Sequence, residues 1–410
     1  MRPVNMTALK ENSRKILPLL SAILLCLLLG SCGGKTVLTG DDLEAMWAAE
    51  EAAQDPSAQQ EEGAQAADSL SVNRLGLAEV PFYLDGQAYT AYGLDGTVWV
   101  ECQALADRFP GFSWQAEGGT LTFCDIQGHQ ATLRGRVMKE GEHPVAEDPA
   151  LILSADECWV RPDLLAQQLS FRCLFDPETG AGYLSPAVDT SLLPAGRSVP
   201  VLMYHAVADD PWGWEGLFMT PEGMRSHLQW LLDNGYDPIF FSDLAHIDDY
   251  DRPVILTFDD GYNDNYTELL PILQEFGAKA TVFVIAGNVD VNPNFMTSEQ
   301  VKALADSGLV DIQSHTVNHM ELASLTEEQQ LTELRDSQLM LARITGKVPY
   351  VISYPAGKYN DTTLRLGPEY YDFGVKSRDG LWTLGDNFFT VDRFPVYRGA
   401  GPGDIQALVE

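Results

Sequence analysis

From about residue 199 onward, short apolar runs alternate with segments that carry helix start and stop signals, and this alternation limits the fold more than anything else in the chain. The runs Val201–Tyr204, Val254–Phe258, Ala280–Ile285, Val310–Gln313, Val351–Tyr354 and Phe373–Val375 read as strands. Between them, Thr220 caps a helix running to Asn234, with Gly235 as its stop. Thr297 with Gln300 makes a capping box for a helix ending at Gly308, and Thr326 with Gln329 opens a long helix ending near Gly346. Repeated βα units imply a parallel sheet or barrel, in which reactive residues sit at the C-terminal ends of strands.

Three residues able to bind a metal or move a proton fall at such ends: His205, Asp259 and His315. Asp259 is followed at once by Asp260 and Gly261, and His315 by Thr316-Val317-Asn318-His319. A spacing of four would aim both imidazoles inward from one helical turn. Two imidazoles and a carboxylate form a common ligand set for a divalent cation that keeps positions open for water. With Asp260 as the third ligand, Asp259 stays free as a base. A cation of the zinc type lowers the pKa of bound water from about 16 toward about 7, so a nearby carboxylate can take its proton. H-x-x-x-H and Asp-Asp-Gly each arise often by chance, but their joint occurrence at strand ends favours a metal centre.

Thr257-Phe258-Asp259-Asp260-Gly261 and Ser314-His315-Thr316-Val317-Asn318-His319 resemble the first two motifs of the polysaccharide deacetylases, carbohydrate esterase family 4. The resemblance spans Val199 to about Arg398. It extends to Pro271-Ile272-Leu273, Ala280–Val284, Glu333-Leu334 with Ser337, Thr345-Gly346 and Ser353-Tyr354-Pro355-Ala356-Gly357-Lys358-Tyr359-Asn360. It implies an α/β fold, a distorted (β/α) barrel, with Asp259 as general base and Asp260, His315 and His319 as ligands of Zn²⁺, or of Co²⁺ or Ni²⁺. Tyr354, Pro355, Gly357 and Tyr359 become candidate substrate contacts. Two features depart from the family pattern. Nothing like the Leu-x-His motif follows His319, and Tyr354–Gly357 lacks the usual nearby Arg. Both departures resemble the circularly permuted branch that includes poly-β-1,6-N-acetylglucosamine deacetylases, in which an early Tyr-His supplies the general acid. Tyr204-His205 matches that position. The implied reaction removes acetate from an N-acetylglucosamine polymer. Competing readings are peptidoglycan N-acetylglucosamine, an O-acetylated polymer, and polymer binding without turnover. Trp212, Trp214, Tyr359 and Trp382 either stack on sugar rings or fill the core.

The N-terminal part reads as export and support. Basic residues, the apolar stretch Ile16–Leu29 and Leu29-Gly30-Ser31-Cys32 describe a secretory signal over residues 1–31. Leu-Gly-Ser-Cys resembles a bacterial lipobox, which implies a lipid on Cys32 and a place on the outer face of the cytoplasmic membrane or in the cell envelope. Residues 32–78 read as an acidic tether: nine Asp or Glu and no Lys or Arg lie between Lys35 and Arg74. The net charge of −33 excludes nucleic acid as a partner, because phosphate binding needs a cationic footprint. Oligomeric state is left open. Residues 79–188 carry an internal repeat in which Trp99-Val100 and Leu105 are echoed sixty residues later by Trp159-Val160 and Leu165. Each unit reads as strand, short helix, hairpin, and together they resemble the small α+β domain at the N-terminus of copper amine oxidases. The deacetylase-like part follows over residues 199–410. Cys102, Cys124, Cys158 and Cys173 are even in number, so one or two disulfides are expected in an exported protein. His129 and His143 read as ordinary surface residues.

Overall fold

The computed structural model describes Val72, residues 75–378 and residues 380–410; the signal, Cys32 and nearly all of the acidic tether lie outside the described residues. Among the described residues no helix is long and apolar enough to cross a membrane.

The chain opens as a meander of β1 (Ala78–Leu84), β2 (Gln87–Leu94) and β3 (Thr97–Glu101). Its two-residue turns are Asp85-Gly86 and Asp95-Gly96, both with positive φ at each position, as tight hairpins of this hand require. α1 (Cys102–Arg108) follows, then a three-stranded sheet of β4 (Ser113–Glu117), β5 (Thr120–Cys124) and β6 (Gln130–Arg134). After β7 (Arg136–Val137) and β8 (Ala150–Ile152), the pattern recurs as β9 (Cys158–Val160), α2 (Pro162–Ala166), β10 (Phe171–Phe175) and β11 (Gly182–Pro186). The main sheet has the order β10-β11-β1-β2-β3-β9-β8-β7. The repeats meet where β3 pairs antiparallel with β9, Val100 opposite Val160 and Glu101 opposite Trp159. The matched Leu105 and Leu165 are both buried in the core beneath this seam. All four described cysteines are free thiols, which corrects the expectation of disulfides. Burial pushes the Cys158 thiol up to about 11 and Cys102 well above its ordinary value, so both act as small apolar core residues.

The second sheet is preceded by β12 (Ser198–Val199) and begins with β13 (Val201–Tyr204), followed by the short pair β14 (Ala206–Val207) and β15 (Phe218–Met219). Then come α3 (Pro221–Asp233), β16 (Asp237–Pro238), β17 (Pro253–Phe258), α4 (Leu270–Phe276), β18 (Ala280–Val284), α5 (Ser298–Asp306), β19 (Val310–Ser314) and α6 (Glu327–Thr345). The chain closes with β20 (Val351–Ser353), α7 (Asp361–Tyr370), β21 (Phe373–Val375), β22 (Trp382–Thr383), β23 (Phe394–Pro395) and α8 (Pro402–Val409). The six apolar runs are strands, each within a residue of its expected ends. Both capping boxes form, and Gly346 ends α6 in the left-handed conformation. The sheet order is β21-β20-β19-β18-β17-β13-β23, and every pairing is parallel. This is a curled, incomplete barrel: among the described residues no ladder joins β21 to β23. The segment before β23 covers that gap, with Val391 bridging Val375 and the Gly374 N–H donating to the Phe388 carbonyl.

The two sheets share a small core of Ala181, Tyr183, Ala342 and Val348, with Tyr83 stacked on Tyr183 at 5.2 Å. Since α6 starts beyond the C-terminal end of β19 and finishes where β20 begins, this contact lies at the strand N-termini, away from the reactive ends. Arg172 grips Asp372 and the Tyr370 carbonyl across the same junction. His129 is no ordinary surface residue. Its Nε2 stands 2.9 Å from Asp189 in the connector, and its Nδ1 lies 3.1 Å from Asp125. Burial opposes its charge, but the two carboxylates outweigh that and raise its pKa.

Arg343 spans the junction with bonds of 2.8 and 2.7 Å to Asp176, a carboxylate buried to 1 % exposure. The Arg343 bonds, working against burial, hold the Asp176 pKa well below the usual carboxylate range. A depressed folded-state pKa gives stability that is present above the unfolded value of about 4 and lost as pH falls through the folded one. Arg343→Ala is therefore expected to cost about 2 kcal/mol near neutrality. The deficit should shrink in acid, as urea unfolding at several pH values would show.

Candidate active site

Each reactive side chain is placed by the residue at which a strand stops. β13 ends at Tyr204 and delivers His205; β17 ends at Phe258 and delivers Asp259 and Asp260; β19 ends at Ser314 and delivers His315. The backbone is strained here. Four of the seven described non-glycine residues with positive φ are Asp260, Thr316, His319 and Ala356, in the loops that follow β17, β19 and β20. Strain concentrated in this way marks a site whose surroundings hold it in place. It also corrects the expected helical turn: His315 and His319 lie on a loop, not on a helix.

Glu333 on α6 shapes that loop. Its carboxylate accepts from the Val317 and Asn318 backbone N–H groups, each at 2.9 Å, and from Asn318 Nδ2 at 2.7 Å. Gly287 lets a neighbouring backbone approach: a Cβ there would meet the Val317 carbonyl at 2.6 Å. The result brings His315 and His319 to a ring-centroid distance of 4.7 Å.

Asp260 Oδ1 stands 3.5 Å from Nε2 of both His315 and His319, and the three ligand atoms lie within 4.8 Å of one another. His315 Nδ1 is 2.8 Å from the Ser353 carbonyl, an acceptor only. Nδ1 therefore carries the proton, and Nε2 presents its lone pair to the cluster. One carboxylate and two imidazoles fit a divalent cation. His315 is buried and Asp260 nearly so, while His319 is 40 % exposed and opens the site to solvent.

Asp259 faces the same cluster, with Oδ2 4.0 Å from His315 Nε2. It is buried and gripped bidentately by Arg393, whose Nη1 and Nη2 donate to its two oxygens at 2.7 Å each. Ser353 Oγ adds a donor at 3.2 Å. Burial alone would raise the Asp259 pKa; Arg393, then His315 and His205, overcome it and hold the carboxylate well below its usual range. Arg393 is fully buried and further tied to Thr257 Oγ1 and the Lys376 carbonyl. The arginine absent from Tyr354–Gly357 is supplied nearly forty residues later, from the segment that covers the barrel gap. Its only sequence signal is a lone cation in the Val391-Asp392-Arg393-Phe394-Pro395 stretch.

His205 is half-buried, its carbonyl accepting from Asn265 Nδ2 at 3.0 Å. The next N–H but one, from Val207, donates to the buried Asp264 at 2.8 Å. Burial lowers the His205 pKa, against the pull of Asp259 and Asp260, whose fields its imidazole shares.

Of the expected substrate contacts, Tyr354 and Pro355 are buried, and Tyr354 donates its hydroxyl to the Phe389 carbonyl. Their side chains are framework, because the loop turns them into the core. Gly357 and Tyr359 stay partly exposed. Trp382 is core at 1 % exposure, whereas Trp212 and Trp214 are exposed.

Residues 246–370 match the polysaccharide deacetylase family. The chain is 32 % identical over 218 residues to YxkH of Bacillus subtilis (strain 168), which carries that family's name; the match covers 52 % of this chain and 76 % of YxkH. It is 30 % identical over 136 residues to the poly-beta-1,6-N-acetyl-D-glucosamine N-deacetylase of Escherichia coli (strain K12), covering 28 % of this chain and 20 % of that enzyme. The structure is similar to that of the Streptococcus pyogenes deacetylase PplD in complex with acetate, with a TM-score of 0.50 and 28 % identity, over 53 % of this chain and all of the other. The chain belongs to the polysaccharide deacetylase family, whose members are hydrolases acting on N-acetyl groups.

Proposed function

We propose that this protein is a metal-dependent N-deacetylase of an N-acetylglucosamine polymer outside the cytoplasmic membrane, held there through Cys32. The observation that carries the reading is Asp259. It is kept ionised by bidentate Arg393 beside Asp260, His315 and His319, which are free to bind a cation, zinc being the best match to two imidazoles and a carboxylate. The bound cation would supply Lewis-acid polarisation of water and of the acetyl carbonyl. Asp259 then accepts the proton of the attacking water as it bonds to the carbonyl carbon. His205 delivers a proton to the nitrogen as the C–N bond breaks, leaving acetate and a free amino sugar. Arg393 and Ser353 fix Asp259 so that only one geometry of attack is served. The likeness to the E. coli poly-beta-1,6-N-acetyl-D-glucosamine N-deacetylase supports a β-1,6-linked substrate. The competing substrates are peptidoglycan and O-acetylated polymers.

Acetate release from β-1,6- and β-1,4-linked N-acetylglucosamine oligomers is the direct test. Release should stop after treatment with a chelator and return on adding Zn²⁺ or Co²⁺. Failure to release acetate from either linkage, with metal supplied, would sink the proposal.

A further inference from the structure

The loop between β14 and β15 holds two exposed indoles, Trp212 at 46 % and Trp214 at 66 %. Two large aromatic side chains exposed on one short loop offer apolar faces with a polar edge, suited to ligand contact. This loop is also fixed in place. Arg398 donates to the carbonyls of Ala208, Phe218 and Asp209 at 3.0, 2.8 and 2.9 Å, and its own N–H reaches the Gly216 carbonyl at 2.9 Å. The Trp214 ring lies close to Gly216, where a Cβ would meet it at 3.0 Å, and packs at a tilt against Tyr397 at 5.7 Å, while most of the indole stays exposed.

The indoles also connect to the reacting centre. Tyr262 lies two residues beyond Asp260 on the same loop, and Trp212 packs T-shaped against Tyr262 at 4.8 Å. Phe295 closes on Tyr262 from another side at 5.0 Å. A cluster of aromatic contacts therefore runs from Tyr262, on the loop that carries Asp260, to the exposed Trp212. Resting on the deacetylase reading, we propose that Trp212 and Trp214 are a stacking platform for sugar rings flanking the acetylated residue. The ligand class is a β-linked N-acetylglucosamine chain several units long. Such rings carry axial C–H bonds on their faces and hydroxyls at their edges. An indole therefore takes the apolar face while the hydroxyls stay in water. The platform would make the enzyme favour long chains over single sugars.

The test uses the full chain and hexameric N-acetylglucosamine in both linkages. Tryptophan fluorescence should change saturably on titration with hexamer, and the response should weaken by about tenfold in affinity in Trp212→Ala and Trp214→Ala. Trp212→Phe should recover part of it, which a folding defect would not allow. In steady-state kinetics the loss should fall on KM for hexamer and be clearly smaller for monomeric N-acetylglucosamine. A hexamer response unchanged in both alanine variants overturns the platform. So does a response to phospholipid vesicles with none to hexamer. Acetate release from the same preparations reports separately on the deacetylase reading: release without a platform, or a platform without release, would each fell one proposal alone.

Discussion

Asp259→Asn is expected to reduce acetate release by about a thousandfold while the protein still binds its metal. The three candidate ligands are other residues, so metal content measured after dialysis should match the parent. Stability should fall as well. Asp259 is the carboxylate that neutralises the fully buried Arg393, and removing one partner of a buried pair costs about 3–5 kcal/mol. A second change separates the two roles. Asp259→Asn combined with Arg393→Met removes both charges and should regain much of the lost stability, yet none of the turnover. If Asp259→Asn alone strips the metal, Asp259 is a ligand and the division of the Asp-Asp pair is wrong. If the double variant recovers turnover, Arg393 and Asp259 are structural only.

The parallel sheet was legible because each strand is an unbroken apolar run and each helix between them carries its own punctuation. Thr297 with Gln300 and Thr326 with Gln329 are local signals and were met locally. Asp259, Asp260, His315 and His319 were legible because strand ends in such folds converge. Arg393 was not, because its partner lies 134 positions upstream and nothing local announces a buried ion pair. The conformation of the His315–His319 loop was hidden for a related reason. It is imposed by Glu333 on a later helix, against the backbone preference of Thr316 and His319. Tyr354 and Trp382 show the converse limit: residue type suggested sugar contacts, and burial, which depends on the whole fold, assigned them to the core. His129 likewise gained its role only when the connector brought Asp189 to it.

His205→Gln is expected to lower kcat for N-acetylglucosamine oligomers by about a hundredfold, the usual worth of a positioned general acid. An amine leaves an amide only with a proton supplied to its nitrogen, whereas a nitrophenolate leaves without one. The same variant should therefore keep much more of its activity on an aryl acetate, and the ratio of the two losses isolates the acid role from any general damage to the site. The surroundings of His205 suit this test. Its position is set through the backbone, by Asn265 on its carbonyl and Asp264 two residues on, so exchanging the side chain leaves those two bonds intact. Equal losses on amide and aryl ester would show that His205 acts only by shaping the pocket. Unchanged turnover of the oligomer would remove it from the mechanism and require another proton source for the leaving amine.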